Sequence, residues 1–380
     1  MKPIFSFLVL LFTVKIVAQT HFTIPQNVWR FTLNSDYTSG NWKSKNLSNR
    51  GIRHSYPIYT KVYSINQYFK RSVSTNSINI EYGFTDITTL VFNIPYISKI
   101  TQNHSWSVSN DSSSTALDSL FKFYYPLTNS NKGLSDITIG INLLMKGSPA
   151  WRGGKQRFSF YSGFDMIFPF AETLKKYNPV DVGSDGIPNQ FKHLPLGEGL
   201  TEIRLRLFGE FYRKKWGRLF NINWKVGVST FQKAEVNPRI TFLWIQDASA
   251  DSIANSIGNT FQKRPLKLNG FISAQLELVP KKVFFTTGAD WIFSARDEFI
   301  SSNYVWNRWM RKHKGYDSQK MLTSQFVKAN LFNLDPYKMV GPIPFELEIG
   351  ARWFLPYPLT FNTYGNISSW IQLSTYFQAW

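Results

Sequence analysis

The chain contains a series of runs in which apolar and polar residues strictly alternate. In the run 266–278 one side carries Leu, Leu, Gly, Ile, Ala, Leu and Leu, and the other carries Lys, Asn, Phe, Ser, Gln and Glu. Successive side chains of a strand point to opposite faces, so each run predicts a strand with one apolar and one polar face. Strands in soluble proteins average about five or six residues, whereas a tilted strand that crosses a bilayer needs about 9–11. The length of these runs therefore predicts membrane-spanning strands.

Twelve such runs predict an all-β fold, a single antiparallel up-and-down transmembrane β-barrel. An even number is typical of bacterial single-chain barrels. The short run 357–364 and the loosely alternating segment 54–69 leave ten or fourteen strands open. The predicted strands are 28–39, 73–84, 87–98, 133–146, 155–168, 201–214, 217–230, 266–279, 282–295, 343–355, 357–364 and 368–380.

The connections between these runs also alternate in length. Tight turns, such as 83–86 and 279–282, alternate with long loops rich in Ser, Asn, Asp and Lys. This alternation predicts short periplasmic turns, long extracellular loops and both termini at the periplasmic rim. The predicted long loops are 40–72, 99–132, 169–200, 231–265 and 296–342.

The first residues have the pattern of a secretory signal. Lys2 precedes a short apolar core at 4–14, and Ala18 ends a segment suited to cleavage. The core is too short for a spanning helix, and Lys15 interrupts it. We predict a signal peptide at 1–18, export through the Sec pathway, and one barrel domain at 19–380 in the outer membrane of a Gram-negative cell.

The last residues form a strand-like run that stops on Trp380. Such a run resembles the C-terminal strand that outer-membrane proteins present to the barrel-assembly machinery, which is therefore a predicted partner. That C-terminal signature prefers apolar residues at every second position before the terminal aromatic residue. Here the positions counted back from Trp380 are mostly polar, and the apolar set falls one residue away, on Ile371, Leu373, Thr375, Phe377 and Ala379. A bulge near the end would reconcile the two patterns.

Composition supports export and excludes several classes of site. Cysteine is absent, which excludes a lipoprotein anchor, disulfides, thiolate metal sites and a cysteine nucleophile. Aromatic residues make up 17% of the chain, which suits the aromatic girdles of a barrel. The formal charge falls from +19 to +17 once Lys2 and Lys15 leave with the signal. These basic residues are scattered rather than gathered in one domain, so we predict no nucleic-acid partner, and we predict no cofactor or metal.

If the apolar faces point to lipid, the polar faces line the lumen. In one interpretation, ions on adjacent strands pair and fill a narrow barrel as a charge ladder. In the other, Arg204 and Arg206 line a solute path and select solutes by charge. A twelve-strand lumen could conduct a small molecule or be plugged by the first long loop. The predicted lumen residues are Glu81, Asp165, Arg204, Arg206, Glu210, Lys225, Glu277, Asp290, Glu346, Glu348 and Arg352.

Two basic segments predict contacts at the cell surface. The loop 40–72 has no acidic residue, and the segment 306–314 interleaves aromatic residues with cations. Nucleic acid can be bound by this composition, but at an outer surface the expected partner is the phosphate and carboxylate layer of lipopolysaccharide. The residues predicted to make these contacts are Lys43, Lys45, Arg50, Arg53, Arg308, Arg311 and Lys312.

Three short motifs resemble a known family. They are Tyr82-Gly83-Phe84-Thr85-Asp86, Gly133-Leu134-Ser135-Asp136-Ile137 and Leu194-Pro195-Leu196-Gly197-Glu198-Gly199-Leu200-Thr201. Over 75–295 the chain resembles the outer-membrane proteins of the MetA-pathway phenol-degradation family. The resemblance implies a barrel channel or transporter for small, often aromatic or hydrophobic, solutes, and it supplies no catalytic residues.

Two other function classes stay open beside a transporter. The first is a structural or adhesion barrel with a side-chain-filled lumen. The second is a lipid hydrolase, which needs a serine activated by a histidine within hydrogen-bond reach. The histidines His21, His54, His104, His193 and His313 fall in the N-terminus or in loops, and none has a serine two positions on. We therefore expect no enzyme, and the width of the lumen separates the transporter from the structural barrel.

Overall fold

The structure is a computed structural model that describes residues 22–44, 52–58, 61–109, 114–152, 156–215, 217–245, 248–312, 318–333, 344–356 and 358–378. Within these residues twelve strands form a closed antiparallel barrel. In chain order they are β1 (Val28–Lys43), β3 (Lys61–Thr85), β4 (Thr88–Ser109), β6 (Ile137–Lys146), β7 (Gln156–Phe168), β8 (Glu202–Lys215), β9 (Arg218–Phe231), β12 (Lys267–Val279), β13 (Val283–Ser294), β15 (Lys320–Phe332), β16 (Phe345–Phe354) and β18 (Ile367–Gln378).

Pairing of the first and last strands closes the barrel. β1 pairs with β3 on one side and with β18 on the other, from Val28↔Gln378 to Ser39↔Ile367. The remaining strands pair with their chain neighbours, so the order around the barrel is the order along the chain. The predicted twelve-strand up-and-down barrel is confirmed. β18 pairs through Gln378 without a register shift, and residues 379 and 380 lie outside the described part.

The prediction of a strand at 357–364 is wrong. That region contributes only β17 (Thr363–Tyr364), which pairs with the end of β1. The twelfth barrel strand is instead β15, which lies within the predicted loop 296–342. Its outer face carries Thr323 and Gln325, and its inner face carries Leu322 and Phe326. The alternation of apolar and polar residues is therefore too weak to reveal β15 in the sequence.

The segment 358–362 lies along the edge of β15 beyond the last residue that pairs with β16, and it covers the side chain of Thr323. The hydroxyl of Thr360 donates to the carbonyl of Thr323 at 2.9 Å, and the amide of Phe361 donates to the carbonyl of Met321 at 2.8 Å. This contact buries Thr323. β15 is thus the tenth strand of the barrel, and β16, which matches the predicted tenth strand 343–355, is the eleventh. Since successive strands are antiparallel, β16 runs toward the extracellular end, opposite to the predicted direction.

Several strands extend well beyond the membrane-spanning length. β3 has 25 residues and β4 has 22, and β1 stays paired with β3 up to Asn41↔Lys70. Much of the predicted loop 40–72 is therefore strand, including β2 (Ile52–Ile58), which pairs with β3. The loop interpretation fails here because the outer face of β3 becomes polar above the bilayer, with Asn66, Lys70 and Ser72, so the alternation ends before the strand does.

The two faces of the barrel have opposite polarity. Leu33, Leu205 and Ile349 are exposed on the outer face, whereas Glu81 and Glu348 are fully buried on the inner face. In water this arrangement would leave a large apolar surface uncovered, but hydrocarbon solvates it. The predicted assignment of apolar faces to lipid and polar faces to the lumen is confirmed.

The extracellular connections pack into a cap with its own apolar core. The cap contains the helices α1 (Ser114–Tyr124), α2 (Asn189–Lys192), α3 (Ala250–Ile257) and α4 (Tyr304–Lys312), and Phe121, Phe191 and Trp306 are fully buried in its core. The short strands β5 (Thr128–Leu134), β10 (Ala234–Val236), β11 (Thr260–Lys263) and β14 (Glu298–Ile300) complete these connections. No helix in the described ranges is both long and apolar enough to cross a membrane.

We predict that Leu207→Arg destabilises the protein, because Leu207 is exposed on the outer face near the middle of β8. An arginine at the bilayer midplane costs about 2–4 kcal/mol. The free energy of unfolding, measured by denaturant titration in phospholipid vesicles, should fall by that amount. Val305→Arg adds the same charge to an exposed position of α4 and should change the free energy by less than about 0.5 kcal/mol. Equal losses would contradict contact of the outer face with hydrocarbon.

Candidate functional site

The barrel lumen is the candidate site, and all the predicted lumen residues lie on the inner face of their strands. They divide into two groups that differ in burial and in contacts. The residues concerned are Glu81, Asp165, Arg204, Arg206, Glu210, Lys225, Glu277, Asp290, Glu346, Glu348 and Arg352.

The first group belongs to what we call the packed wall, formed by β13, β15, β16, β18, β1 and β3. Glu348 accepts hydrogen bonds from Lys328 Nζ at 2.9 Å, Asn330 Nδ2 at 2.8 Å and Trp370 Nε1 at 2.7 Å. Arg352, on the same strand as Glu348, reaches across β15 so that its Nε lies 3.0 Å from Asp290 Oδ2 on β13. All these ions are buried. The packed wall therefore has the arrangement of the first interpretation of the sequence, in which paired ions form a charge ladder that fills part of the barrel.

The same wall continues through residues that were not among the predicted lumen set. Arg30 on β1 forms a buried ion pair with Glu81 on β3. Side chains alternate between the two faces along the predicted strand 28–39, and this alternation places Arg30 on the inner face. The sequence was therefore sufficient to predict Arg30 as a lumen residue. Lys328 could not be placed in this way, because its strand β15 has no clear alternation. Glu277, on β12, lies outside this wall near the periplasmic end, where it accepts from the backbone amide of Leu219 at 2.8 Å.

The second group belongs to what we call the open wall, formed by the extracellular halves of β7, β8, β9 and β12. Arg206 Nη2 lies 2.5 Å from Asp165 Oδ1, and Glu202 binds both Arg204 at 2.7 Å and Lys267 at 2.6 Å. The carboxylates of this wall lie behind the cations. The side chains of Arg204 and Lys267 are 26% and 22% exposed, against 5% for Asp165 and 10% for Glu202. The surface that faces the lumen is therefore positive.

A glycine makes room for the arginine of the open wall. A Cβ atom at Gly163 would lie 2.9 Å from Nη2 of Arg206. The absence of that atom lets Arg206 lie flat across β7, where it also donates to Asn142 Oδ1 at 2.9 Å. A longer side chain in place of Gly163 would push the guanidinium away from Asp165 and into the lumen.

Glu210 and the aromatic residues beside it lie below the open wall. Glu210 accepts from the hydroxyl of Tyr161 at 2.9 Å, and Arg157 lies 3.5 Å from it. The ring of Tyr161 stacks on Phe208, with centroids 5.3 Å apart and planes at 5°. These residues replace the charged lining with an apolar one in the middle of the barrel.

The N-terminal segment 22–27, which we call the N-terminal plug, folds into the lumen. The ring of Phe22 lies 4.8 Å from that of Phe208 and 5.4 Å from that of Tyr161. Ile24 is fully buried, and its amide donates to Thr89 Oγ1 at 3.0 Å. The apolar residues packed with Ile24 toward the periplasmic end are Val28, Trp151, Tyr212, Leu219, Phe284, Phe332 and Tyr376.

The plug enters the lumen at the periplasmic rim, where it passes against the backbone of a glycine. A Cβ atom at Gly83 would collide with the carbonyl oxygen of Pro25, and the amide of Asn27 donates to the carbonyl of Gly83 at 2.8 Å. The loop 40–72 is one expected plug of the lumen. In the described part of that loop the chain forms β1, β2 and β3, so the segment that fills the lumen is the N-terminus.

The histidines do not form a hydrolase site where their side chains are described. His104 bonds to Gln102 Nε2 and to the carbonyl of Pro126, both at 2.8 Å, and His193 lies 3.0 Å from Glu172. A hydrogen bond from Asn131 lowers the pKa of Glu172 below its usual value. Neither histidine contacts a serine hydroxyl among the described side chains. His21 and His313 lie outside the described residues, and the side chain of His54 is not described.

The predicted surface cations have different environments. Arg308 is exposed on α4, and Arg311 Nη1 lies 3.5 Å from Glu298. Lys43 is buried, where it offers no charge to a lipid headgroup. The structure describes no side chain for Arg53 or Lys312, and Lys45 and Arg50 lie outside the described residues. Among the residues that can be compared, α4 is therefore the exposed basic element. No cluster of His, Asp or Glu suited to a metal ion occurs in the described ranges.

We predict that Lys328→Met costs about 3–5 kcal/mol of unfolding free energy, because it leaves Glu348 buried with an uncompensated charge. Adding Glu348→Gln to the same chain should restore most of the loss. Arg204→Met, on the open wall, should cost less, since water screens its partly exposed ion pair. Denaturant titration of the four proteins in vesicles measures these differences. Equal losses at Lys328 and Arg204 would contradict the division into two walls.

Comparison with known proteins identifies the fold. No family model and no curated protein sequence matches the chain. The COG4313 outer membrane channel from Pseudomonas putida F1 is similar over 96% of this chain and 100% of that chain, with 11% identity and a TM-score of 0.56. The β domain of the Bordetella autotransporter BrkA aligns over 92% and 99% (7% identity, TM-score 0.38). The CymD monoaromatic hydrocarbon channel aligns over 93% and 90% (8% identity, TM-score 0.35).

The first of these similarities, together with the closed barrel and its apolar outer face, bears out the predicted fold and location. The resemblance to the MetA-pathway phenol-degradation family stays a prediction. The chain is an outer-membrane β-barrel.

Proposed function

We propose that the protein is an outer-membrane channel for small solutes that have an aromatic or otherwise apolar part. The observation that carries the proposal is the difference between the two walls of the lumen. The ions of the packed wall are buried against one another, whereas Arg204 and Lys267 on the open wall remain accessible inside the barrel. A purely structural ladder has no reason to leave one side accessible.

The size of the barrel limits the solute. Eight-strand barrels are filled by side chains, and sixteen-strand porins hold an aqueous channel. A twelve-strand barrel lies between them, and here the packed wall occupies part of the cross-section. A passage along the open wall would therefore suit a small molecule rather than a folded or polymeric one.

The chemistry of the lining supports a solute with an apolar part. Phe208 and Tyr161 form a stacked aromatic surface below the cations, and Phe271 and Leu144 belong to the same apolar cluster. Aromatic faces bind other aromatic groups through burial and offset or edge contacts. The similar fold of an outer membrane channel supports the class of function, while the choice of solute rests on this lining.

The N-terminal plug would control passage toward the periplasm. It fills the lumen below the open wall, and Phe22 is held by aromatic contacts and by one hydrogen bond from Asn142 Nδ2 to its carbonyl at 3.1 Å. Cleavage of the predicted signal after Ala18 would leave Phe22 close to the new N-terminus. A short segment with a free end can leave the lumen without breaking the barrel.

The partners in the envelope follow from the same location. We propose that the exposed basic face of α4 contacts the phosphates of lipopolysaccharide through Arg308 and Arg311. The strand β18, whose outer face carries Ile371, Leu373 and Phe377, would be the strand presented to the assembly machinery.

A structural barrel is the second candidate, and the packed wall favours it. The two functions differ in whether the lumen conducts once the N-terminal plug is loosened.

We predict that Phe22→Ala combined with Ile24→Ala raises the single-channel conductance in planar bilayers by about two-fold or more, because both side chains fill the lumen. Phe84→Ala removes an equally apolar but exposed side chain at the periplasmic turn and should leave the conductance unchanged. If neither the wild type nor the plug variant conducts or admits small aromatic solutes to liposomes, the channel proposal is wrong and the structural barrel stands.

A further inference from the structure

We propose that Lys225 forms an anion site in the lumen, and that the channel selects small aromatic anions, with a carboxylate on or next to the ring. This inference rests on the proposed channel function and narrows it to a class of solute.

No carboxylate in the described part of the chain lies within ion-pair distance of Lys225, and Asp165, which is bound to Arg206, acts on it only from further away. It projects inward from the middle of β9, paired with Phe208 on β8 and Phe271 on β12. Seven other inner-face cations each lie within ion-pair distance of a carboxylate: Arg30 with Glu81, Arg157 with Glu210, Arg204 and Lys267 with Glu202, Arg206 with Asp165, Lys328 with Glu348 and Arg352 with Asp290. Arg71, nearer the extracellular end of β3, donates to Gln102 instead. Lys225 differs from the seven because no carboxylate in the described residues lies within that distance of it.

The surrounding charges add to the positive field at Lys225. The open wall holds four cations, Arg204, Arg206, Lys225 and Lys267, against two carboxylates, Asp165 and Glu202. Both carboxylates are already bound by arginine or lysine and lie behind the cations. A cation away from bulk water is costly when it lacks a counter-charge. An anion from outside the chain would offset that cost at Lys225.

The rings beside Lys225 determine what kind of anion fits. Phe208 and Phe271 flank the lysine on the two neighbouring strands, and both are buried in the apolar cluster of the lumen. A strongly hydrated ion would have to give up water against these rings without compensation. A ring that carries a carboxylate places its apolar part on the phenyl groups and its charge on the ammonium.

A neutral hydrocarbon and an amine are both disfavoured at this position. The hydrocarbon would cover Lys225 without supplying a counter-charge, and the amine would be repelled by Lys225 and Arg206. We therefore expect four probes to differ in their affinity for the site at Lys225. Benzoate should bind more tightly than acetate or benzyl alcohol, and benzylamine should bind most weakly.

The test is the ion selectivity of the full-length mature protein in planar bilayers. Reversal potentials are measured in gradients of potassium benzoate and of potassium acetate. In the wild type the permeability ratio of benzoate to acetate should exceed their ratio of mobilities in water, and benzoate should block the chloride current more strongly than benzyl alcohol or benzylamine does. Benzyl phosphate is a second arm that distinguishes a carboxylate site from a general anion site, since preference for it would overturn the carboxylate assignment.

Three variants isolate the lysine. Lys225→Gln should lower the benzoate-to-acetate ratio about three- to ten-fold by removing the central charge, and Lys225→Arg should retain most of it. Lys132→Gln removes one exposed extracellular cation and should leave the ratio unchanged. If Lys225→Gln does not fold, Lys225→Arg and the block of the wild type by benzoate decide the question. An unchanged ratio in a conducting Lys225→Gln protein would overturn this inference alone, whereas absence of conductance in every salt would overturn the channel function itself.

Discussion

The hydrogen bonds between β1 and β18 are the constraint on which the rest of the structure depends. A bilayer offers no water to an unpaired backbone amide or carbonyl, so a sheet in hydrocarbon has to close on itself. The register from Val28↔Gln378 to Ser39↔Ile367 provides that closure. It also fixes which side chains face inward on both strands, since a shift by one residue would exchange the faces. The sites in the lumen follow from this register.

In a closed barrel in a membrane the apolar side chains lie on the outside and the polar side chains lie in the lumen, the reverse of a soluble protein. Polar and charged side chains are confined to a narrow interior, where each needs a partner. The packed wall meets this need with interlocked pairs such as Lys328–Glu348 and Arg352–Asp290. The open wall meets it only in part. Because Asp165 and Glu202 lie behind their cations, the positive field points into the accessible space, and the proposed selectivity would come from the same ions that stabilise the wall.

The sequence predicts much of this fold and less of the site. Parity placed Glu348, Arg204 and the other lumen residues on the inner face, because one apolar face against lipid gives a strong period-two signal. It failed at β15, where Thr323 is sheltered by the segment 358–362 and the outer face does not need to be apolar. The N-terminal plug has no periodic signal at all. Phe22 and Ile24 are ordinary apolar residues in the sequence, and their place in the lumen depends on contacts with five or more distant strands.

The plug and the proposed anion site compete for one surface. Phe22 packs against Phe208, which is also the neighbour of Lys225 on β8. An aromatic solute that reaches Lys225 would need part of the ring surface that Phe22 covers, so binding of the solute and seating of the plug oppose each other. The plug places no carboxylate from its described residues on Lys225, so a solute that carries one gains an interaction that Phe22 lacks. That difference gives an aromatic anion a physical means of displacing the segment that closes the lumen, whereas a neutral ring would only exchange one aromatic contact for another.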